Sequence, residues 1–332
     1  MSELENLIQN GKSIQLKNNP KIKDDDKAKQ LSVLSMKQYV ATIKKLHREL
    51  NVSVDITNLL WLQEYKNEIV TFITTLNSPN TIKTYLSIVI ALLNNDLKKY
   101  NELIKFFANI SNSNYDNIKI HVKKDKACDD KRIITLKEYD ALIKMLAKNS
   151  CDAVEYLMFL ILRHYPIRNE VGTLIYIKNT DFVKLDKATI QAHNWIVEKS
   201  KSIEMIRYQF KTAKFYAKEL PFIDTIKQPV KAALKKYIKD KNINSNTPLF
   251  AVNDIVLTEN QVSQKLAYIS EKNLGVKIST STVFKILACD AVKNNSIDEA
   301  RKLLFNYSKI RGTNLSTIIE YYVNGNVINN DD

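Results

Sequence analysis

SMKQYVATIKKLHREL, residues 35–50, carries an apolar side chain every three or four positions: Met36, Tyr39, Val40, Ile43 and Leu46. That period lays one apolar stripe along an α-helix and leaves the lysines and arginine on the other side. Downstream, a second helix is expected from Trp61 to about Leu76, and Asn77-Ser-Pro-Asn80 reads as a turn. TIKTYLSIVIALLNN, from Thr81, opens a third and strongly apolar helix, and KKYNELIKFFANI continues the pattern. Residues 35–112 therefore read as an all-α domain. Upstream, residues 1–34 are polar and charged, with the run KIKDDDKAK at 21–29, and read as a loosely ordered arm.

Beyond residue 112 the helical period stops, and 113–131 reads as a basic linker. A second domain is expected over 132–325. It opens at TLKEYDALIKML, where Thr135 and Glu138 have capping-box spacing, and a further helix carries VEYLMFLILRHY. Alternating patterns follow. EMIRYQF and FYAKELPFI flank KTAK, which reads as a β-hairpin with Lys211 and Lys214 at its tip. PVKAALKKYIKDK, QVSQKLAYISEKN, STVFKILACDAVKN and SIDEARKLLFNY are helical again, and 326–332 is a polar tail. Only five glycines and six prolines interrupt 332 residues, so the fold class is mainly α with a small β-sheet.

The chain has 50 Lys+Arg against 36 Asp+Glu, a formal charge of +14. Such a field captures polyanions, and DNA or RNA is the first candidate because neutralising phosphates releases condensed counterions. A membrane surface is the rival, but no basic amphipathic helix with bulky apolar anchors is present. No apolar run reaches the roughly 18 residues that span a bilayer, and the N-terminus lacks the apolar stretch of a secretory signal. The expectation is an intracellular protein that is not secreted. Cys128, Cys151 and Cys289, and the four histidines, are scattered. Neither a disulfide framework nor a metal site is expected.

Three short motifs, in order along the chain, resemble those of the tyrosine recombinases, the phage-integrase superfamily. They are HYPIRNEV (164–171), FKTAKFYAKELPF (210–222) and TNLSTIIEYYVN (313–324). The resemblance spans about 35–323. It implies a two-domain clamp, with an α-helical core-binding domain and an α+β catalytic domain closing on duplex DNA. It also implies strand transfer through a 3′-phosphotyrosyl intermediate, with no metal or cofactor, and homo-oligomers, tetramers in this family, on DNA. By the same resemblance Arg168 clamps the scissile phosphate. A guanidinium suits that role because it donates two coplanar hydrogen bonds. Lys211 acts as general acid, with Lys214 the runner-up, and Tyr321 is the nucleophile, followed by a structural Tyr322.

Each assignment has a plainer alternative. Arg168 would be a surface residue paired with Glu170, Lys211 a solvated turn residue, and Tyr321 a packing aromatic. The family pattern also breaks in two places. Its His-x-x-Arg motif falls on Ser281 and Phe284, and its later His/Trp position falls on Gly312. Lys285, Arg301 and Arg311 are the candidates for replacing the missing charge. Without such charge, the chain would be a recombinase-derived DNA-binding protein with lost or weak catalysis. Phosphate contacts are expected from Lys44, Lys45, Arg48, Lys83 and Tyr85 in the helical domain, and from Lys123, Lys124 and Lys126 in the linker. For these too, an ordinary solvated helix face is the alternative. Trp61 and Trp195 are expected in the core. The reading is a site-specific recombinase or integrase, of the kind carried by a virus or mobile element.

Overall fold

The computed structural model describes residues 2–18, 31–124, 133–148, 153–252 and 255–322, and the side chains of all of these but 34, 115–124, 214–215, 252, 255 and 320–322. The chain divides into two compact units, 1–124 and 125–332.

The first unit, among the described residues, is helical throughout. Its helices are α1 (Glu3–Lys17), α2 (Val33–Glu49), α3 (Trp61–Glu64), α4 (Lys66–Thr74), α5 (Pro79–Leu93) and α6 (Leu97–Lys124). Helix α5 is the centre of the unit. Pro79 stands in its first turn, where no amide proton is needed, and Leu86, Ile88, Val89, Leu92 and Leu93 are all inaccessible to solvent. Trp61, Ile43, Leu46 and Phe107 pack into the same core.

Residues 2–18 are not part of a loosely ordered arm, whereas 19–30, with the charged run at 21–29, lie outside the described residues. Ser2 and Glu5 form a capping box, and Leu4, Ile8 and Gly11 turn one face of α1 into the core. Those positions are four and three apart, a helical stripe short enough to be masked by the polar residues around it. Gly11 lets α1 lie directly on α5, since a Cβ there would stand 1.7 Å from the Ala91 carbonyl oxygen. The expected linker is also corrected in part, because α6 runs unbroken through 113–124. Asn114 is buried in it, with its amide donating to the Pro79 carbonyl at 2.9 Å. A tertiary hydrogen bond thus fixes the head of this stretch.

The second unit mixes helices with one five-stranded sheet. Its described elements are α7 (Leu136–Lys148), α8 (Ala153–His164), β1 (Leu174–Lys178), α9 (Asn179–Phe182), α10 (Lys187–Ala192), β2 (Asn194–Glu198), β3 (Ile203–Arg207), β4 (Phe222–Thr225), α11 (Val230–Asp240), β5 (Thr247–Pro248), β6 (Ala251–Val252), β7 (Ile255–Val256), α12 (Glu259–Leu274), α13 (Thr280–Asn294), α14 (Ile297–Arg311) and α15 (Leu315–Tyr322). The strand order is β4-β3-β2-β1-β5, and β6 and β7 pair separately. Strands β1 and β2 run parallel. The short helices α9 and α10 make the crossover that a parallel pair requires. One sheet face joins the main core through Leu174, Tyr176, Ile196, Ile203 and Met205. The other buries Ile177, Trp195, Val197 and Ile206 beneath Phe182 and Leu185. Thr135 caps α7 as expected, its hydroxyl oxygen accepting from the Glu138 amide at 3.2 Å.

The expected hairpin exists in a looser form. Glu204–Arg207 pairs with Phe222–Thr225, but KTAK is not a tight turn. After Arg207 the ladder is taken over by a side chain, because Asn194 Oδ1 accepts from the amides of Tyr208 and Gln209 at 2.9 and 2.8 Å. The chain then loops through a 3-10 turn, Ala213–Tyr216, before β4. No described helix is long and apolar enough to cross a membrane.

Candidate active site

Arg168 follows α8 and stands at the start of a 3-10 turn that leads into β1. Its Nη1 donates to the Arg311 carbonyl at 2.9 Å and to Thr212 Oγ1 at 3.4 Å. The Thr212 hydroxyl in turn donates to the Gly312 carbonyl. Three stretches far apart in sequence therefore meet: 168, the loop at 211–212, and the corner at 311–312. Arg168 is partly buried. Among the described residues its Nε and Nη2 have no protein partner, and no ion pair joins it to Glu170, so the surface-pair alternative does not describe it. Glu170 is itself 3% exposed. Burial raises its carboxyl above the ordinary value, outweighing backbone hydrogen bonds and the Arg207 and Arg168 charges that pull it down.

Lys211 is exposed beside Thr212. Lys214 belongs to the 3-10 turn, but its side chain lies outside the described residues. Tyr321 and Tyr322 end α15, and their side chains too lie outside the described residues. Helix α15 starts only three residues after Gly312, at a corner built by Asn314, whose Oδ1 accepts from the Ser316 amide at 3.0 Å. Ile318 anchors it against Phe284, Ala288 and Leu304.

The two breaks in the motif pattern have physical causes. Gly312 closes α14 in the left-handed conformation, with φ 60°, where glycine is favoured. A Cβ there would stand 2.5 Å from Phe210 Cε2, so the Phe210 ring occupies the space that a histidine at 312 would need. Phe284 is fully buried, and the Arg311 guanidinium lies over its ring at 4.5 Å. Arg311 Nη2 also donates to Ser281 Oγ at 3.0 Å, and Nη1 to the Pro166 and Thr280 carbonyls at 3.2 and 3.4 Å. Arg311 thus brings a cation to the two side chains, Ser281 and Phe284, where the motif lacks its own. It is only 2% exposed, so its charge acts from behind the surface.

The other candidates divide by position. Lys285 stands one turn after Ser281, on the same side of α13, and is partly exposed. Arg301 lies ten residues before Arg311, about 15 Å along the α14 axis, and is not part of the cluster. Asn169 ties the cluster to α12, donating to Ser263 Oγ at 2.8 Å, and makes a further tie to α13, accepting from the Thr280 hydroxyl at 2.9 Å. In the first unit Lys44, Lys45, Arg48 and Lys83 are exposed. Tyr85 is not available to DNA. It is 5% exposed, packs edge-on against Phe72 at 5.4 Å, and burial raises its hydroxyl pKa; it lies on the inward face of α5. The side chains of Lys123 and Lys124, and all of Lys126, lie outside the described residues.

Arg207 and Thr212 were not among the residues singled out by the sequence. Arg207 carried a usable signal. In Ile203-Glu-Met205-Ile-Arg207 it holds the third position of an apolar alternation, and it proves fully buried.

No protein-family profile matches the sequence, and no curated protein does. Among solved structures, the chain is similar to one titled "Crystal structure of XerA recombinase", over 98% of this chain and 96% of that one, with 12% identity and a TM-score of 0.38. A likeness that loose assigns no role to any residue, so the functional reading rests on the side chains of the second unit.

Proposed function

We propose that this chain is a DNA strand-transfer enzyme of the tyrosine-recombinase type. Arg168 holds a backbone phosphate, Lys211 protonates the leaving oxygen and Tyr321 attacks. The reading is carried by the convergence on Arg168 of Thr212, next to Lys211, and of the carbonyl of Arg311, which opens the corner into the Tyr321 helix. The free edge of Arg168 suits non-bridging phosphate oxygens, where a planar fork stabilises the charge that builds at phosphorus. The phenolic oxygen would attack phosphorus and give its proton to water. The bond from phosphorus to the 5′ oxygen breaks as the Lys211 ammonium protonates that oxygen, leaving a 3′-phosphotyrosyl link. Attack by another 5′-hydroxyl reverses the step and completes transfer. Arg311 from below and Lys285 from the side add positive potential that favours the phenolate and the pentacoordinate state. The charge of +14 suits duplex DNA as the partner.

Duplexes selected from a random pool by binding, then nicked near the protected position, should yield a covalent protein–DNA adduct on a denaturing gel. The adduct should vanish in Tyr321→Phe and fall on the order of 10²–10³-fold in Arg168→Ala. Gly312 and Phe284 favour one other reading, a recombinase-derived protein that binds duplex without cutting it. Salt-sensitive binding with no adduct and no relaxation of supercoiled plasmid would establish that reading and refute ours.

A further inference from the structure

The last carbonyls of a helix have no partner within it, and at the end of α14 each is accounted for. Those of Ser308 and Lys309 accept from local amides, Thr313 N at 3.0 Å and Gly312 N at 3.1 Å respectively. The next three are taken by side chains from the other half of the unit. Ile310 O accepts from Arg207 Nη1 at 2.6 Å, Arg311 O from Arg168 Nη1 at 2.9 Å, and Gly312 O from Thr212. Two of the three donors are cations facing a helix C-terminus, where positive charge is favoured.

Arg207 is the deepest of the three. It ends β3 and is 0% exposed, its Nη2 donates to Asp224 Oδ2 at 3.0 Å, and Phe210 and Phe222 lie 5.8 Å from its guanidinium. Arg207 therefore connects the sheet to the corner without lying in the surface that would meet DNA.

We infer that Arg207 is a positioning residue, which fixes the corner between α14 and α15 against the sheet and so sets where the Tyr321 helix points. The catalytic part of this inference rests on the strand-transfer reading; the mechanical part does not. From Leu315 to Tyr321 the helix advances about 9 Å. A tilt of about 10° at the corner would move its end by roughly 1.5 Å, enough to cost on the order of 10² in rate. Arg168 shares the same corner, so the group proposed to grip phosphate and the helix proposed to attack it are held at one place.

The test uses the full-length chain with Arg207→Met, Arg207→Lys and Thr212→Val. In Arg207→Met, amide hydrogen exchange should speed up at 311–319 and stay unchanged in β2 and α8. Adduct formation should slow on the order of 10²-fold with duplex affinity unchanged. Arg207→Lys should restore part of both, and Thr212→Val should show the same pattern more weakly, which keeps the test usable if the methionine variant fails to fold. Unchanged exchange at 311–319, or an increase spread evenly over the second unit, overturns the inference. If the wild-type chain forms no adduct, the strand-transfer reading fails, and the exchange pattern alone still decides whether Arg207 holds the corner.

Discussion

At Gly11 the first unit presses two helices together by leaving out a side chain, while at Gly312 the second unit bends the chain and straps the bend with hydrogen bonds. Around Gly11 the apolar Leu4 and Ile8 flank a direct backbone approach to Ala91, and two hydrogen bonds accompany it, Asn95 to the Leu7 carbonyl at 2.8 Å and Lys12 to Ser87 at 2.6 Å. Around Gly312 the neighbours are Phe210, Thr212 and, one and two residues back, carbonyls held by arginines. Apolar packing is non-directional and tolerates small slides. Charge-assisted hydrogen bonds fix a point and a direction. On the strand-transfer reading proposed above, the second unit aims a nucleophile, and directed contacts at its corner suit that task.

The contrast can be broken most severely at the corner. Gly312→Ala should destabilise the second unit by about 1–2 kcal/mol for the left-handed backbone, with about 1–3 kcal/mol more for displacing Phe210. With Trp61→Phe as background, Trp195 alone reports that unit, and its unfolding midpoint in urea should drop. Gly11→Ala should do less harm. Its Cβ must push α1 off α5 at about 1–3 kcal/mol, but alanine returns about 1 kcal/mol of helix propensity. In a Trp195→Phe background the Trp61 signal should register that smaller loss. Equal losses at the two glycines would erase the distinction between the two contacts.

A third effect is a pH dependence confined to the first unit. Lys12, next to Gly11, donates to Ser87 Oγ at 2.6 Å and to Gln15 Oε1 at 2.9 Å, and burial lowers its pKa to about 8. The folded value lies below the unfolded one, so between them the unfolded chain binds more protons and stability rises with pH. The first unit should gain stability from pH 8 to about 10.5. Lys12→Met should be the more stable form at pH 7 and lose that advantage above the upper limit. A flat difference across the window would show that the ammonium is solvated in the folded state.

How much of this was legible beforehand follows from the same contrast. The helices at 33–49, 79–93 and 136–148 could be read because local period and tertiary burial agree there. Helix α1 was missed since its stripe is only three residues, and the continuation of α6 past 112 since its first tertiary tie is a polar side chain, Asn114, which an apolar period does not record. In the site, the motif residue Arg168 meets Thr212, the neighbour of Lys211, at 3.4 Å. The hairpin tip was placed too tightly, because no local rule shows that Asn194 will take the amides of Tyr208 and Gln209. The roles of Arg311 and Arg207 were still harder to see. A guanidinium under a phenylalanine, and another holding a helix end, are partnerships across 27 and 103 positions of sequence, which periodicity does not record.

The interlock of Phe210 with Gly312 also constrains how this chain can change over generations. A histidine cannot enter at 312 while the phenylalanine ring fills the adjoining space, and a smaller residue at 210 alone leaves a void with nothing yet to fill it. The two substitutions are passable in one order at a cost and barred in the other. Relatives of this protein should accordingly carry the glycine and the bulky aromatic together, or neither.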